Sequence, residues 1–202
     1  MDAPLDAPSG QTRKGRLFVL GGPSGVGKGT LRAQALADID NLSYSISCTT
    51  RKPRVGERDG VDYHFITRED FEDKAAQGLF LEHATVHEDR YGTLREDVTR
   101  ELDAGHDVLL EIDVQGAQQI QRLLPESVLI FIAPPSLEAL EERLRLRRTE
   151  SEDKIKLRLE NAKKEMERSS DYDHIILNDV LDHASKELRD LITRGGEAPR
   201  EE

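Results

Sequence analysis

The stretch that decides the fold reads Leu17-Phe18-Val19-Leu20-Gly21-Gly22-Pro23-Ser24-Gly25-Val26-Gly27-Lys28-Gly29-Thr30. Its apolar start predicts a buried strand, and residues 31–37 after it predict a helix. Between them, glycines let the backbone turn so that successive amide N–H groups point at phosphate oxygens, and Lys28 adds a positive charge. We therefore assign Gly21 to Thr30 to binding the phosphates of a nucleoside triphosphate, with Lys28 as a catalytic residue. The alternative, a glycine-rich turn that only caps a strand, leaves the lysine unexplained.

The end of this loop departs from the common pattern, which places Ser or Thr directly after the lysine. Gly29 takes that position here, and the hydroxyl follows at Thr30. The Gly-Lys-Gly-Thr form is similar to that of nucleoside monophosphate kinases, so the loop stays within the phosphate-loop superfamily. We keep Thr30 as a candidate magnesium ligand, whereas Lys28 follows the pattern without departure.

Hydrophobic periodicity predicts the rest of the fold. Apolar runs at 17–20, 108–112, 128–132 and 174–177 predict strands, with helices between the later ones. This alternation predicts an α/β fold in which a parallel sheet is flanked by helices. Residues 45–93 break the rhythm, because short strands at 62–66 and 79–82 surround a helix at 69–77, so we predict an inserted mixed lobe. Residues 136–170 predict two charged helices, the second capped by Thr149 or Ser151, that form a helical lid.

These patterns divide the chain into parts. We expect an ATP-binding core at 16–44, 94–135 and 171–194, the inserted lobe at 45–93, the lid and the following helix at 136–170, and disordered tails at 1–15 and 195–202.

The bulk composition excludes several classes of protein. The 202 residues carry a formal net charge of -11, which disfavours binding to a nucleic acid polymer. No apolar run approaches the ~20 residues that cross a bilayer, so we expect no membrane span. The first residues lack the apolar segment of a secretory signal, and Cys48, the single cysteine, allows no intramolecular disulfide. We expect a cytoplasmic protein, and the sequence leaves its oligomeric state open, a homo-oligomer included.

A second motif identifies the phosphoryl acceptor. The chain reads Thr49-Thr50-Arg51-Lys52-Pro53-Arg54-Val55-Gly56-Glu57-Arg58-Asp59-Gly60-Val61-Asp62-Tyr63-His64-Phe65. This closely resembles the signature of guanylate kinases, Thr-Thr-Arg-x-Pro-Arg-x-Gly-Glu-x-x-Gly-x-Asp-Tyr-x-Phe, and the resemblance covers roughly residues 16–192. It implies transfer of the γ-phosphate of ATP to GMP or dGMP, giving ADP and GDP, with Mg²⁺ as cofactor and residues 45–93 as the GMP-binding lobe.

The resemblance also implies which side chains bind GMP. Arg51, Arg54, Tyr63 and Tyr91 match residues that hold its phosphate, and guanidinium forks and hydroxyl groups suit phosphate oxygens. Either arginine taken alone is equally well explained as a solvated surface charge. Arg54 is also assigned to catalysis.

Three further positions match residues that read the guanine base: Ser47, Glu82 and Thr93. A carboxylate at Glu82 can accept hydrogen bonds from both the ring N–H and the exocyclic amine of guanine, whereas adenine presents a bare acceptor there. The unmade hydrogen bonds would cost a few kcal/mol, roughly a hundredfold in discrimination. Without the resemblance, Glu82 is better explained as an exposed glutamate at a strand end.

The catalytic side chains follow from the same resemblance. Glu111 and Asp113 end an apolar strand, where carboxylates reach the ligand edge of a parallel sheet. The family has an acidic-x-Asp pattern here, so we assign Glu111 to the GMP side and Asp113 to the water shell of Mg²⁺. Most acidic residues at strand ends are simply solvated.

The lid matches the family in its arginines. Arg143, Arg147 and Arg158 correspond to arginines that reach the phosphates, and the spacing of four between 143 and 147 puts both on one helix face. The alternative is a charged exterior, which we prefer for Arg145 and Arg148. Lid closure would expel water and protect ATP from hydrolysis.

The loop Asn178-Asp179 resembles the family's loop near the adenine of ATP. Two other functions compete with the enzyme: a noncatalytic scaffold domain that binds phosphorylated peptides, and a kinase for another small molecule on the same fold. Lys28 and the acceptor and lid arginines favour catalysis, and Glu82 with Ser47 and Tyr63 favours guanine.

Overall fold

The computed structural model describes residues 13–37, 39–86, 88–146 and 151–197. In chain order the elements are β1 (Leu17–Gly21), α1 (Lys28–Ala35), β2 (Leu42–Tyr44), β3 (Cys48–Thr49), β4 (His64–Phe65), α2 (Arg68–Ala76), β5 (Phe80–Val86), β6 (Asp89–Leu94), α3 (Arg95–Asp103), β7 (Asp107–Glu111), α4 (Val114–Leu123), β8 (Val128–Ala133), α5 (Leu137–Leu146), α6 (Glu152–Met166), a 3-10 turn (Ser169–Asp171), β9 (His174–Leu177) and α7 (Leu181–Thr193).

The main sheet has five strands in the order β2-β7-β1-β8-β9, and all of its pairings are parallel. Its central strand β1 is buried at every residue. Because side chains alternate across a strand, Phe18 and Leu20 enter the core shared with α1, α5, α6 and α7, whereas Leu17 and Val19 enter the core shared with α3 and α4. This sheet with helices on both faces confirms the predicted α/β fold class.

Parallel strands end at one edge of the sheet, and that edge positions the site. β1 leads into the glycine-rich loop, β7 ends at Glu111, and β9 leads into Asn178. Chain segments from three strands therefore converge at the ligand edge of an α/β sheet.

A second, mixed sheet of four strands in the order β4-β3-β6-β5 lies within the inserted segment. It packs on α2 through a small core of Cys48, Phe71 and Phe80, with the two phenylalanine rings stacked at 4.5 Å. Helix α2 begins where Thr67 accepts a hydrogen bond from the Asp70 N–H at 3.0 Å, a side-chain cap. Helix α4 joins this sheet to the main one, since α4 contacts β5.

Helices α5 and α6 form the pair expected for the lid. Ser151 is the N-cap residue of α6, but its side chain makes no capping hydrogen bond. Arg145 pairs with Glu141 and Glu152 on the exposed surface, as the charged-exterior interpretation expects. Thr149, Arg147 and Arg148 lie outside the described residues.

Both ends of the described chain make hydrogen bonds to the rest of the fold. Gly15 donates its N–H to Leu102 O at 2.8 Å, which ties the entering chain to α3. Gly195 and Gly196 form a turn with φ of 76° and 87°, and His174 Nε2 donates to Gly196 O at 2.8 Å. These glycines adopt the left-handed conformation, which brings Gly196 against β9. Within the described ranges, no helix is long and apolar enough to cross a membrane.

Candidate active site

The phosphate-binding loop joins β1 to α1. Gly27, with φ of 99°, is the N-cap of α1, and Gly22 has φ of 130°. A side chain at Gly22 would also collide with the backbone carbonyl of Ile132, so only glycine fits there. Lys28 Nζ donates to Gly22 O at 2.6 Å and lies 3.4 Å from Pro23 O. The loop thus holds the ammonium group against its own carbonyl oxygens at the N-terminus of α1.

Helix α1 begins at Lys28, three residues before the predicted start. Thr30 is exposed and lies about 200° around the helix axis from Lys28. A side chain at Gly29 would instead point toward Glu111, its β-carbon 4.0 Å from Oε2. The structure therefore does not place Thr30 on the helix face that carries Lys28.

Two lid arginines contact the phosphate loop. Arg143 on α5 donates to Val26 O at 3.2 Å, and Arg158 on α6 donates to Ser24 Oγ at 2.5 Å. The predicted third arginine, Arg147, lies outside the described residues. The loop is thus bordered by positive charge from both lid helices.

Asn178, after β9, is buried and holds the same part of the loop. The side-chain amide of Asn178 donates to Val26 O at 2.8 Å, while its backbone carbonyl oxygen accepts from the Arg143 guanidinium at 2.8 Å. Asp179 accepts from the Val180 N–H at 2.5 Å. Asn178 thereby connects the lid arginine to the loop.

Asp113 lies just after β7 as the N-cap of α4. Its Oδ1 accepts from Gly116 N–H at 2.8 Å, and burial raises the pKa of Asp113. A second carboxyl group belongs to Glu165 on α6. Burial raises the pKa of Glu165 to about 7, and the charges of Lys28 and Asp113 also act on it. Glu165 was not among the residues predicted from the sequence, although it lies two helical turns after Arg158 on the same face of α6.

The acceptor loop is organised by Glu57. Arg51 forms a two-pronged pair with its carboxylate, each N–O distance 2.9 Å, and the Arg54 N–H donates to it at 2.7 Å. Burial opposes ionisation of Glu57, but the hydrogen bonds from Arg51 and Arg54 outweigh it and lower its pKa. The Arg54 side chain is exposed. The structure therefore fixes Arg51 firmly, and it leaves the Arg54 side chain at the surface.

Two tyrosines adjoin Arg51. The rings of Tyr63 and Tyr91 meet edge to face with centroids 5.9 Å apart, and the Arg51 guanidinium lies 5.3 Å from the Tyr63 ring centroid. It also interacts with the Tyr91 hydroxyl. Burial, followed by the charge of Glu111, raises the pKa of Tyr63 to about 12. Three of the four residues predicted to hold the phosphate, Arg51, Tyr63 and Tyr91, thus lie together. Glu111, predicted on the GMP side, is near enough for its charge to act on Tyr63.

The predicted base-reading residues are buried. Glu82 lies within β5, opposite Thr93 on β6, and Thr93 Oγ1 donates to Glu82 Oε1 at 2.6 Å. Glu82 is only 3% exposed, and burial raises its pKa to about 7 despite the Thr93 hydrogen bond. Ser47 is likewise buried. On the other side of Glu82, any side chain at Gly116 of α4 would collide with Oε2. The interpretation of Glu82 as an exposed strand end is therefore wrong, because β5 continues to Val86.

A glycine loop with its lysine at the edge of a parallel sheet, arginines from α5 and α6 on that loop, and a separate buried polar pair in the second sheet are the features of a phosphate-loop kinase. The comparisons with known proteins narrow this class. A family model described as guanylate kinase matches residues 14–195. The guanylate kinase of Desulfotalea psychrophila is 51% identical over 181 residues, covering 89% of each chain. That of one Thermus thermophilus strain is 50% identical over 180 residues, covering 89% of this chain and 81% of the relative.

Structure comparison agrees with the sequence match. The crystal structure of guanylate kinase from Anaplasma phagocytophilum aligns with a TM-score of 0.78 at 31% identity, covering 93% of this chain and 89% of that one. The chain therefore belongs to the guanylate kinase family, whose members are enzymes that phosphorylate GMP with ATP.

Proposed function

We propose that this chain transfers the γ-phosphate of ATP to GMP or dGMP, releasing ADP and GDP. The observation that carries the proposal is the buried pair Glu82 and Thr93 in the inserted lobe. A carboxylate so far from water needs hydrogen-bond donors, and guanine supplies two on one edge, its ring N–H and its amine. Ser47, also buried, is assigned to the same base from its sequence position.

On the donor side, we propose that the loop from Gly21 to Thr30 binds the phosphates of ATP. Lys28 would exchange its bonds to loop carbonyls for bonds to phosphate oxygens, since a carboxylate or phosphate partner binds an ammonium more strongly than a neutral carbonyl does. Arg143 and Arg158 already contact the loop, so the proposal assigns them to the transferred phosphoryl group. We assign Arg147 the same role from its sequence position, and residues 136–170 act as the lid.

On the acceptor side, we propose that Arg51, Tyr63 and Tyr91 bind the phosphate of GMP and that residues 45–93 act as the GMP-binding lobe. Glu57 keeps the guanidinium plane of Arg51 fixed, so little conformational entropy is lost when phosphate binds. Arg54 joins the phosphate only by turning its exposed side chain inward.

We propose that Asp113 helps to bind the magnesium ion. Mg²⁺ prefers oxygen ligands and keeps several waters, using one or two carboxylates together with substrate phosphates. Asp113 fits that pattern, because its carboxylate lies at the sheet edge within the field of Lys28. When bound, the ion neutralises charge on the transferred phosphoryl group. The position of Thr30 on α1 makes its hydroxyl a poorer candidate than Asp113.

Phosphoryl transfer then requires alignment more than chemistry by side chains. Lys28 and the lid arginines orient the donor, and the Arg51 cluster orients the acceptor. Closure of the lid would exclude water, which otherwise competes with GMP. Because a single cysteine suits a reducing compartment, we infer that the enzyme acts in the cytoplasm.

The test is release of ADP by the purified full chain with ATP and magnesium, offered GMP, dGMP, AMP, CMP or UMP. We expect ADP to form in proportion to GMP, with AMP at least ~100-fold poorer in kcat/KM. Lys28→Ala should abolish turnover and serves as the control for contaminating kinases. Equal turnover with AMP would refute the assignment of guanine.

A further inference from the structure

Helix α1 carries a second basic residue in the site. Arg32 follows Lys28 by four residues, so the two share one face of the helix. Arg32 Nε lies 3.6 Å from Glu111 Oε2, at the end of β7. The two side chains are 25% and 19% exposed, so this ion pair is largely shielded from water.

The guanidinium of Arg32 is also held from its other side. Its central carbon lies 3.7 Å from the ring centroid of Tyr44, a cation–π contact that suits the planar group of arginine. Tyr44 ends β2, which pairs with β7, the strand that ends in Glu111. Stacking on Tyr44 therefore sets the plane in which Arg32 meets the carboxylate.

The buried Nε atom has no hydrogen bond within the described part of the chain, and the Glu111 carboxylate is the acceptor that it faces. Most hydrogen bonds made by side chains go to backbone groups or to water. Arg189 on α7 follows this pattern, donating to Ala35 O and Gln34 O at 3.1 Å each, at the C-terminal end of α1. Arg32, in the last turn of the same helix, instead faces a carboxylate and a tyrosine ring.

Glu111 is the group through which Arg32 would act. Burial raises the pKa of both Tyr44 and Tyr63, and in each case the negative charge of Glu111 is the next cause. The negative charge of Glu111 therefore acts on Tyr44 and also on Tyr63, which lies beside Arg51. An uncompensated carboxylate there would repel the phosphate of GMP, and a mobile one would misplace it.

We propose that Arg32 is a positioning residue for the phosphoryl acceptor: it fixes and neutralises Glu111 from the same helix that presents Lys28 to the donor. This inference rests on the proposed function, in which Glu111 lies on the GMP side. One turn of α1 thereby sets the distance between the donor lysine and the acceptor carboxylate. A misplacement of about 1 Å between reacting groups can cost up to roughly a hundredfold in rate.

The experiment compares Arg32→Gln, Arg32→Lys and the matched control Arg189→Gln in the full chain. Initial rates are measured against GMP and against ATP separately, together with thermal unfolding. We expect Arg32→Gln to lower kcat/KM for GMP by about tenfold and to leave the KM for ATP within about twofold. Arg32→Lys should recover part of the loss, because it restores the charge without the planar stack. Arg189→Gln should lower the melting temperature and leave the KM for GMP unchanged.

A double-mutant cycle with Glu111→Gln separates the inference from the proposed function. If Arg32 acts through Glu111, the double variant should be no slower than Glu111→Gln alone. A loss in Arg32→Gln that matches its loss of thermal stability and affects ATP and GMP equally would overturn the positioning role. Fully additive losses would overturn it as well. If Glu111→Gln itself leaves GMP kinetics unchanged, the acceptor role of Glu111 in the proposed function fails instead.

Discussion

Glutamine in place of Glu82 should make the protein more stable and a poorer kinase. Burial raises the pKa of Glu82 from 4.5 to about 7. A raised pKa means that the folded state favours the protonated acid, so ionised Glu82 destabilises the fold above pH 7. That penalty disappears as the pH falls from 7 toward 4.5. The difference corresponds to at most about 3 kcal/mol in the free energy of unfolding.

Glutamine recovers only part of this energy. Its amide oxygen can still accept from Thr93, but its NH₂ group would replace the carboxylate oxygen nearest Gly116 and become a buried donor that must find a new partner, for which we take about 1–2 kcal/mol. We therefore expect Glu82→Gln to be about 1–2 kcal/mol more stable than the parent at pH 8.5. At pH 5.5 the advantage should vanish or reverse. Urea unfolding at the two pH values measures both quantities, and Glu126→Gln, at an exposed position in a turn, is the control for loss of one negative charge.

Glu82→Gln should also use GMP poorly as the phosphoryl acceptor. An amide presents one donor where guanine needs two acceptors, so kcat/KM for GMP should fall about a hundredfold while the KM for ATP stays the same. ADP release at varied GMP and varied ATP provides the measurement. The reasoning fails if Glu82→Gln is less stable than the parent at pH 8.5, or if its stability difference does not change with pH. Unchanged GMP kinetics would remove Glu82 from base recognition.

Three further outcomes follow from other contacts. Glu57→Gln should raise the KM for GMP by about tenfold with little effect on ATP, because Arg51 loses its charged partner; equal effects on both substrates would contradict this. Asn178→Ala should lower the free energy of unfolding by about 1 kcal/mol and weaken ATP binding, since the bond to Val26 O is lost, as urea unfolding and ATP titration would show. Burial raises the pKa of the Cys48 thiol to about 11, so an aromatic disulfide reagent at pH 8 should titrate it only after denaturation, and rapid reaction of the folded protein would be the contrary result.

The sequence predicted four of the five strands of the main sheet, β1, β7, β8 and β9, to within about a residue, because each is a continuous apolar run between turn residues. Strand β2, the fifth, was not identified, because it is only three half-buried residues long. Strands β3 and β6 of the second sheet were not identified either. Their residues are polar or small and pair inside a lobe whose core is only three side chains, so hydrophobic periodicity carries little signal there.

The start of α1 was the costlier error for the site. Gly27 and Gly29 have poor helix propensity, and this hid the fact that the helix begins at Lys28. With the correct start, the phase of the helix places Arg32 beside Lys28 and turns Thr30 away. Glu57 and Glu165 were missed for another reason: their importance lies in specific side-chain contacts and charges, those of Arg51 for Glu57 and of Lys28 and Asp113 for Glu165, which composition and spacing do not reveal. Glu57 did lie within the quoted signature, and that was a usable signal.

Gly116, in the first turn of α4, contacts both Asp113 and Glu82. Its N–H holds the Asp113 carboxylate, while its α-carbon lies where any side chain would displace Glu82. In the proposed function, base recognition by Glu82 and magnesium binding by Asp113 are therefore connected through Gly116. An engineer who wished to change the accepted nucleobase by altering residue 82 would have to rebuild this turn as well, and any new side chain at position 116 would be felt at both ends of the substrate.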